Sequence, residues 1–121
     1  MYKNLVTIAI VMLSLDIIYL KTISGHFNKL MTDIQGSPIT LKYFPALLCY
    51  SLLIFVFYYF ITKDNRSTFD AFLLGFAIYG IYDTTNMATI NRWNWKTVVL
   101  DTTWGGILFA LTNILTNKIL N

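Results

Sequence analysis

YFPALLCYSLLIFVFYYFI, residues 43–61, contains no charged residue, and its polar atoms are limited to Cys49, Ser51 and the tyrosine hydroxyls. An apolar run of this length is what a helix needs to cross about 30 Å of hydrocarbon, roughly 20 residues. Pro45 falls in the first turn, where its missing N–H has no intrahelical partner to lose. The run is bounded by a polar turn, Lys63-Asp64-Asn65-Arg66-Ser67. With so few polar atoms, the helix is expected to face lipid almost all round.

The same reading extends outward along the chain. Comparable stretches lie at about 5–23, 68–90 and 97–115, so that four spans of about 20 residues account for roughly two-thirds of the 121 residues. Composition agrees: 56% of residues are hydrophobic and 12% charged, against roughly 45–50% and 25% in soluble domains. This leaves no room for a second domain, a Rossmann or barrel enzyme core, or a water-soluble nucleic-acid module. The first stretch follows Lys3 but is followed by no A-x-A-like cleavage site, and is read as a true span. The expected fold is all-α: one integral membrane four-helix bundle covering residues 1–121, running up-down-up-down.

The nine Lys and Arg behind the net charge of +3 are scattered through the connecting segments, with no basic run. They suit contact with lipid head groups, each gaining on the order of 1 kcal/mol near an anionic surface, and they exclude nucleic acid as a partner. The one cysteine, Cys49, admits no intrachain disulfide and is expected to be a small buried hydrophobe.

Between the first two spans, Ile23, Phe27, Leu30, Met31 and Ile34 recur at the spacing of one helix face. The spacing predicts a short amphipathic helix over about 24–34, capped by Ser24, ended by Gly36-Ser37-Pro38 and lying in the membrane interface. An irregular loop is the competing reading. Ser67 or Thr68 is the expected N-cap of the third span. Small residues recur every four positions at Ala71 and Gly75, and again at Thr102, Gly106 and Ala110, so the third and fourth spans are expected to pack most closely.

Polar side chains within the spans are the candidates for function. Alternating span direction brings Asp16, Asp83 and Asp101 toward one membrane side, each on the order of 6–12 Å inside the interface at 1.5 Å per residue. A carboxylate at the bilayer centre costs about 2.5–3.5 kcal/mol on insertion scales, so all three are expected to face the bundle interior. Tyr79, Tyr82, Asp83, Asn86 and Thr89 share one face of the third span. Asp101, Trp104 and Gly105 share one of the fourth, and Asp16, Tyr19 and Leu20 one of the first. The candidate binding residues of this polar cavity are Asp16, Tyr82, Asp83, Thr85, Asn86, Thr89, Asp101 and Trp104, with His26 on the same side as a cover. The competing reading makes the acids structural, paired with Lys21, Lys42, Arg92 or Lys96. His26 has no second ligand at metal-binding spacing, although oxygen ligands alone could hold a hard cation. No nucleophile motif is present, and no cofactor is implied.

Two strings carry a resemblance. Tyr82-Asp83-Thr84-Thr85-Asn86-Met87-Ala88-Thr89, then Trp93, then Asp101-Thr102-Thr103-Trp104-Gly105 resembles the Y-D-x-T-N-x-A-T…W…D-x-x-W-G signature of a family of small predicted membrane proteins of unknown function, known mainly from bacteria. Leu15-Asp16-Ile17-Ile18-Tyr19-Leu20 is similar to that family's first-helix L-D-x-x-W-L motif, with Tyr19 where tryptophan is usual. The resemblance spans nearly the whole chain. It implies four membrane spans and matches Asp16, Tyr82, Asp83, Thr85, Asn86, Asp101 and Trp104 to motif positions; it implies no activity.

Three readings follow. The first is a transporter-like or channel-like protein whose acidic cavity takes a cation, a proton or a small polar solute; it carries an expectation of homo-oligomers, since four helices have few walls. The second is an assembly protein whose polar residues lock helices together. The third is a membrane enzyme acting on lipid head groups, the least favoured because no catalytic motif supports it. The small multidrug transporters offer an analogy of size and of a first-helix carboxylate, and no more.

Overall fold

The computed structural model describes residues 1–36 and 42–121. Among these residues the chain forms four long helices and no strand: α1 (Tyr2–Gln35), α2 (Tyr43–Phe57), α3 (Thr68–Thr89) and α4 (Trp95–Leu120). α2 runs directly into a π-helical turn, Tyr58–Thr62. Three helices are long and apolar enough to cross a membrane: α1, α2 with its π turn, and α4. α3 is not in that set, because Tyr82, Asp83, Thr84, Thr85 and Asn86 lower the hydropathy of its second half.

α1 departs from expectation. The segment 24–34 is helical, but it is no separate interfacial helix: α1 continues through it without a break for 34 residues, a length of about 50 Å. The physical reason is local. Ser24 is no cap; its hydroxyl donates back to the Lys21 carbonyl (3.3 Å). A glycine such as Gly25 inside a helix costs only about 1 kcal/mol. The helix ends at Gly36, whose φ of +79° is a conformation that favours glycine and whose N–H bonds the Thr32 carbonyl. Ser37 and Pro38 of the expected stop lie outside the described residues. The apolar stripe itself is present: Ile23, Phe27, Leu30, Met31 and Ile34 are, with His26, the less exposed positions of this segment.

The other boundaries follow from caps. Ser67 caps α3, its hydroxyl accepting from Asp70 N–H (3.0 Å), and Asp70 pairs with Arg66 (2.9 Å). Asn94 caps α4, accepting from Thr97 N–H (2.9 Å). Trp95 and Lys96 therefore belong to the first turn of α4 rather than to the connection before it.

α3 and α4 form by far the most extensive helix pair, and α1 lies mainly on α4. The α3–α4 contact is close because glycines face each other: a Cβ on Gly105 would strike Tyr79 and the Gly75 carbonyl, and one on Gly106 would lie 2.6 Å from the Phe72 ring. In lipid, where apolar side chains gain little from leaving the solvent, such van der Waals approach is what holds helices together. The apolar core gathers Ile8, Met12, Phe57, Ile61, Ala71, Tyr79, Leu108 and Phe109, with the Phe57 and Phe109 rings edge to face at 5.3 Å. Phe57 and the π-turn residue Ile61 are the points at which the second span is buried in the bundle. Most of α2 before Phe57 stays exposed, Leu47, Leu48 and Leu52 included.

Candidate functional site

Asp16 on α1 and Asp83 and Asp101 flanking the α3–α4 connection are all buried, with 5%, 0% and 6% of their surface exposed. α1 presents Asp16 and Tyr19 one helical turn apart toward α4, where Asp101 and Trp104 are likewise one turn apart. Two crossed contacts result. The Trp104 indole N–H donates to Asp16 Oδ1 (3.0 Å), and the Tyr19 hydroxyl donates to Asp101 Oδ1 (2.8 Å). Between them the Tyr19 and Trp104 rings stack, centroids 4.5 Å apart and within 4° of parallel. The Tyr50 hydroxyl of α2 donates to the other Asp16 oxygen, Oδ2. Asp16 therefore ties three helices together.

Asp83 is different. Neither of its oxygens makes a hydrogen bond of normal geometry, and the Trp93 indole N–H is also buried without an acceptor. The polar groups that bear on Asp83 are the Asp101 carboxyl and Trp93. Tyr19, bonded to Asp101, and the partly exposed Tyr82 share the wall of one cavity with Asp16 and Asp101. None of the acids is paired with a lysine or arginine: among the described residues the one ion pair is Arg66–Asp70.

A cavity of about 840 Å³ opens between α1, α2 and α3. Asp16, Tyr19, Tyr50, Tyr82 and Asp101 lie on its wall, but much of the remainder is apolar, with Leu20, Leu53, Val56 and Ile78 among the residues that complete it. Of the eight candidate residues, Asp16, Tyr82 and Asp101 thus reach the cavity, while Asp83 sits fully buried behind Asp101 and Trp104 is drawn off to Asp16. Thr85 and Thr89 are exposed, and each donates to its own helix, to the Ile81 carbonyl (2.7 Å) and the Thr85 carbonyl (2.8 Å). Such back-bonding satisfies a hydroxyl that faces away from polar partners. Asn86 is half-buried and away from the cavity wall.

His26 does not cover the cavity. Its Nε2 lies 2.9 Å from Thr97 Oγ1. Thr97 Oγ1 donates its own proton to Asn94 Oδ1 (3.0 Å), which leaves Nε2–H of His26 as the donor in the first contact. The histidine thereby fastens the last third of α1 to the first turn of α4.

α2 is exposed over most of its surface, as its few polar atoms imply, and Tyr50 is an exception, turning inward to Asp16; a tyrosine among aliphatic side chains signals this only through its need for an acceptor in an apolar setting. Cys49 is not a buried hydrophobe: it is exposed and on the cavity wall. Trp93 was legible as an aromatic beside cations, but its buried indole next to Asp83 was not.

Fold and site together define a small polytopic integral membrane protein with an acidic cluster inside its helix bundle. The chain belongs to the DUF2177 family of predicted membrane proteins, whose match covers residues 1–117. No curated protein and no solved structure matches it.

Proposed function

We propose that this membrane protein is a binding protein whose cavity receives a cation or a small solute with hydrogen-bond donors, and passes it between membrane faces. The observation that carries the reading is the cavity of about 840 Å³ with two buried carboxylates, Asp16 and Asp101, on its wall. Its volume lies within the roughly 300–1,000 Å³ of small-molecule sites. An ionised carboxylate only accepts hydrogen bonds, and no described lysine or arginine offsets these two, so the complementary ligand is a donor or carries positive charge. An organic cation fits better than a metal ion, since no three His, Cys, Asp or Glu side chains among the described residues are grouped to hold one.

The reading takes all four helices as spans of alternating direction, with the polar half of α3 shielded by α4. At about 50 Å, α1 exceeds the hydrocarbon thickness, so that its last turns stand in the interface beside the cavity mouth. Homo-oligomers remain part of the proposal, since four helices enclose few pathways.

The test is saturable binding of an alkylammonium series, methylammonium to dodecylammonium, to the purified chain in lipid nanodiscs. At least one member is expected to bind, and Asp101→Asn to weaken it tenfold or more. Binding of no member, or binding indifferent to Asp101→Asn, overturns the reading. Passage is read from methylammonium uptake into proteoliposomes.

A second reading has its own observation. Tyr50 and Trp104 both bond Asp16, and Tyr19 bonds Asp101, so these acids also lock helices. An assembly role expects Asp16→Ala to lower stability and leave alkylammonium binding absent in wild type and variant alike.

A further inference from the structure

Resting on the binding reading above, we infer that the ligand is an amphiphilic amine, and that it reaches the cavity from the bilayer through the gap beside the N-terminal half of α2. The first ground is how α2 is held. Its principal helix neighbour is α1, and its burial is concentrated at Phe57 and, in the π turn, Ile61. Toward its N-terminus the helix stands away from α3 and α4, and Tyr43, Phe44, Leu47 and Leu48 are exposed along it. The opposite side of the same half, Ala46, Cys49, Tyr50 and Leu53, lines the cavity. Among the described residues, the α2 side of this gap is bordered by side chains suited to hydrocarbon, and Ser24 and Asn28 of α1 are polar residues on the facing wall.

The second ground is the chemistry of the wall. Leu20, Phe27, Leu53, Val56 and Ile78 give an apolar surface, against which Asp16 and Asp101 are the two acids. A compact polar solute would leave most of that surface without a partner, whereas an alkyl chain covers it. The head group is set by the acids and by the rings of Tyr19, Tyr82 and Trp93, which share the wall with them. Carboxylates accept hydrogen bonds, and aromatic faces attract cations within about 6 Å. An ammonium satisfies both; a carboxylate or phosphate head group satisfies neither.

The experiment uses the full chain in phosphatidylcholine nanodiscs and isothermal titration calorimetry, with partition into empty discs subtracted. Dodecylammonium is expected to bind saturably at one per chain, and butylammonium and dodecanol at least tenfold more weakly. Cys49→Trp fills part of the cavity from α2 while every acid is retained, and is expected to weaken dodecylammonium tenfold or more while helical circular dichroism is unchanged. Ala46→Trp serves the same purpose if Cys49→Trp does not fold. Butylammonium binding as tightly as dodecylammonium would leave the cation site in place and overturn the amphiphile. Dodecanol binding as tightly would overturn the amine, and undiminished binding in the tryptophan variants would overturn the location. If no alkylammonium binds saturably, the binding reading falls and this inference with it.

Discussion

Phe57 and Tyr50 sit two turns apart on α2 and meet different surroundings. Phe57 has no exposed surface and closes edge to face on Phe109 of α4. Tyr50 is half-buried beside a cavity, and its hydroxyl is committed to Asp16. The residues around each are similarly apolar, so hydrophobicity does not separate them. What differs is the opposing surface. At Phe57 α4 presents the Phe109 ring, whereas at Tyr50 α1 presents the Asp16 carboxylate, which takes a hydrogen-bond donor. In a bilayer, where lipid is as apolar as any core, this complementarity decides which stretch of a helix docks and which stands off.

The largest expected effect on that contrast comes from the packed side. Gly105→Leu would drive a side chain into Tyr79 and the Gly75 carbonyl. Because backbone cannot rotate away, a loss of at least about 3 kcal/mol is expected, at the top of the usual overpacking range; reversible unfolding in mixed micelles measures it. Phe109→Ala removes the ring that Phe57 meets and should cost about 3 kcal/mol by the same assay, the low end for Phe→Ala, since lipid replaces part of the lost environment. On the cavity side, Asp16→Ala leaves Tyr50 and Trp104 without their acceptor, for roughly 1–2 kcal/mol; a cost equal to that of Phe109→Ala would erase the distinction drawn here. Leu47→Ala, on the exposed part of α2, should change stability by less than about 0.5 kcal/mol. A larger loss would mean that this half of α2 is packed after all, against a second copy or another chain.

Much of the architecture was legible because it follows from length and local chemistry. The apolar runs, the Ser67 cap and the close approach at Gly75 and Gly106 are each written in a few adjacent residues. The α1 extension was only half legible: the stripe from Ile23 to Ile34 is plain, but whether a helix breaks at Ser24-Gly25 depends on small competing costs that no pattern resolves. The site was legible as a set of acids. Its wiring was not, because Tyr50 and Trp104 meet Asp16 from 34 and 88 positions away in the chain, and such contacts depend on helix rotation. Thr85 and Thr89 differ again: their type and spacing place them with the site residues, yet each hydroxyl bonds a carbonyl of its own helix, which sequence does not reveal.

The unbroken α1 joins distant parts of the bundle on one rod. His26, ten residues beyond Asp16 on the same helix, meets Thr97 in the first turn of α4, while Asp16 meets both Trp104 of α4 and Tyr50 of α2. At 1.5 Å per residue the two attachments lie about 15 Å apart along α1. α1 and α4 are thus splinted at two heights, and rotation of either helix about its own axis is expected to break both contacts together.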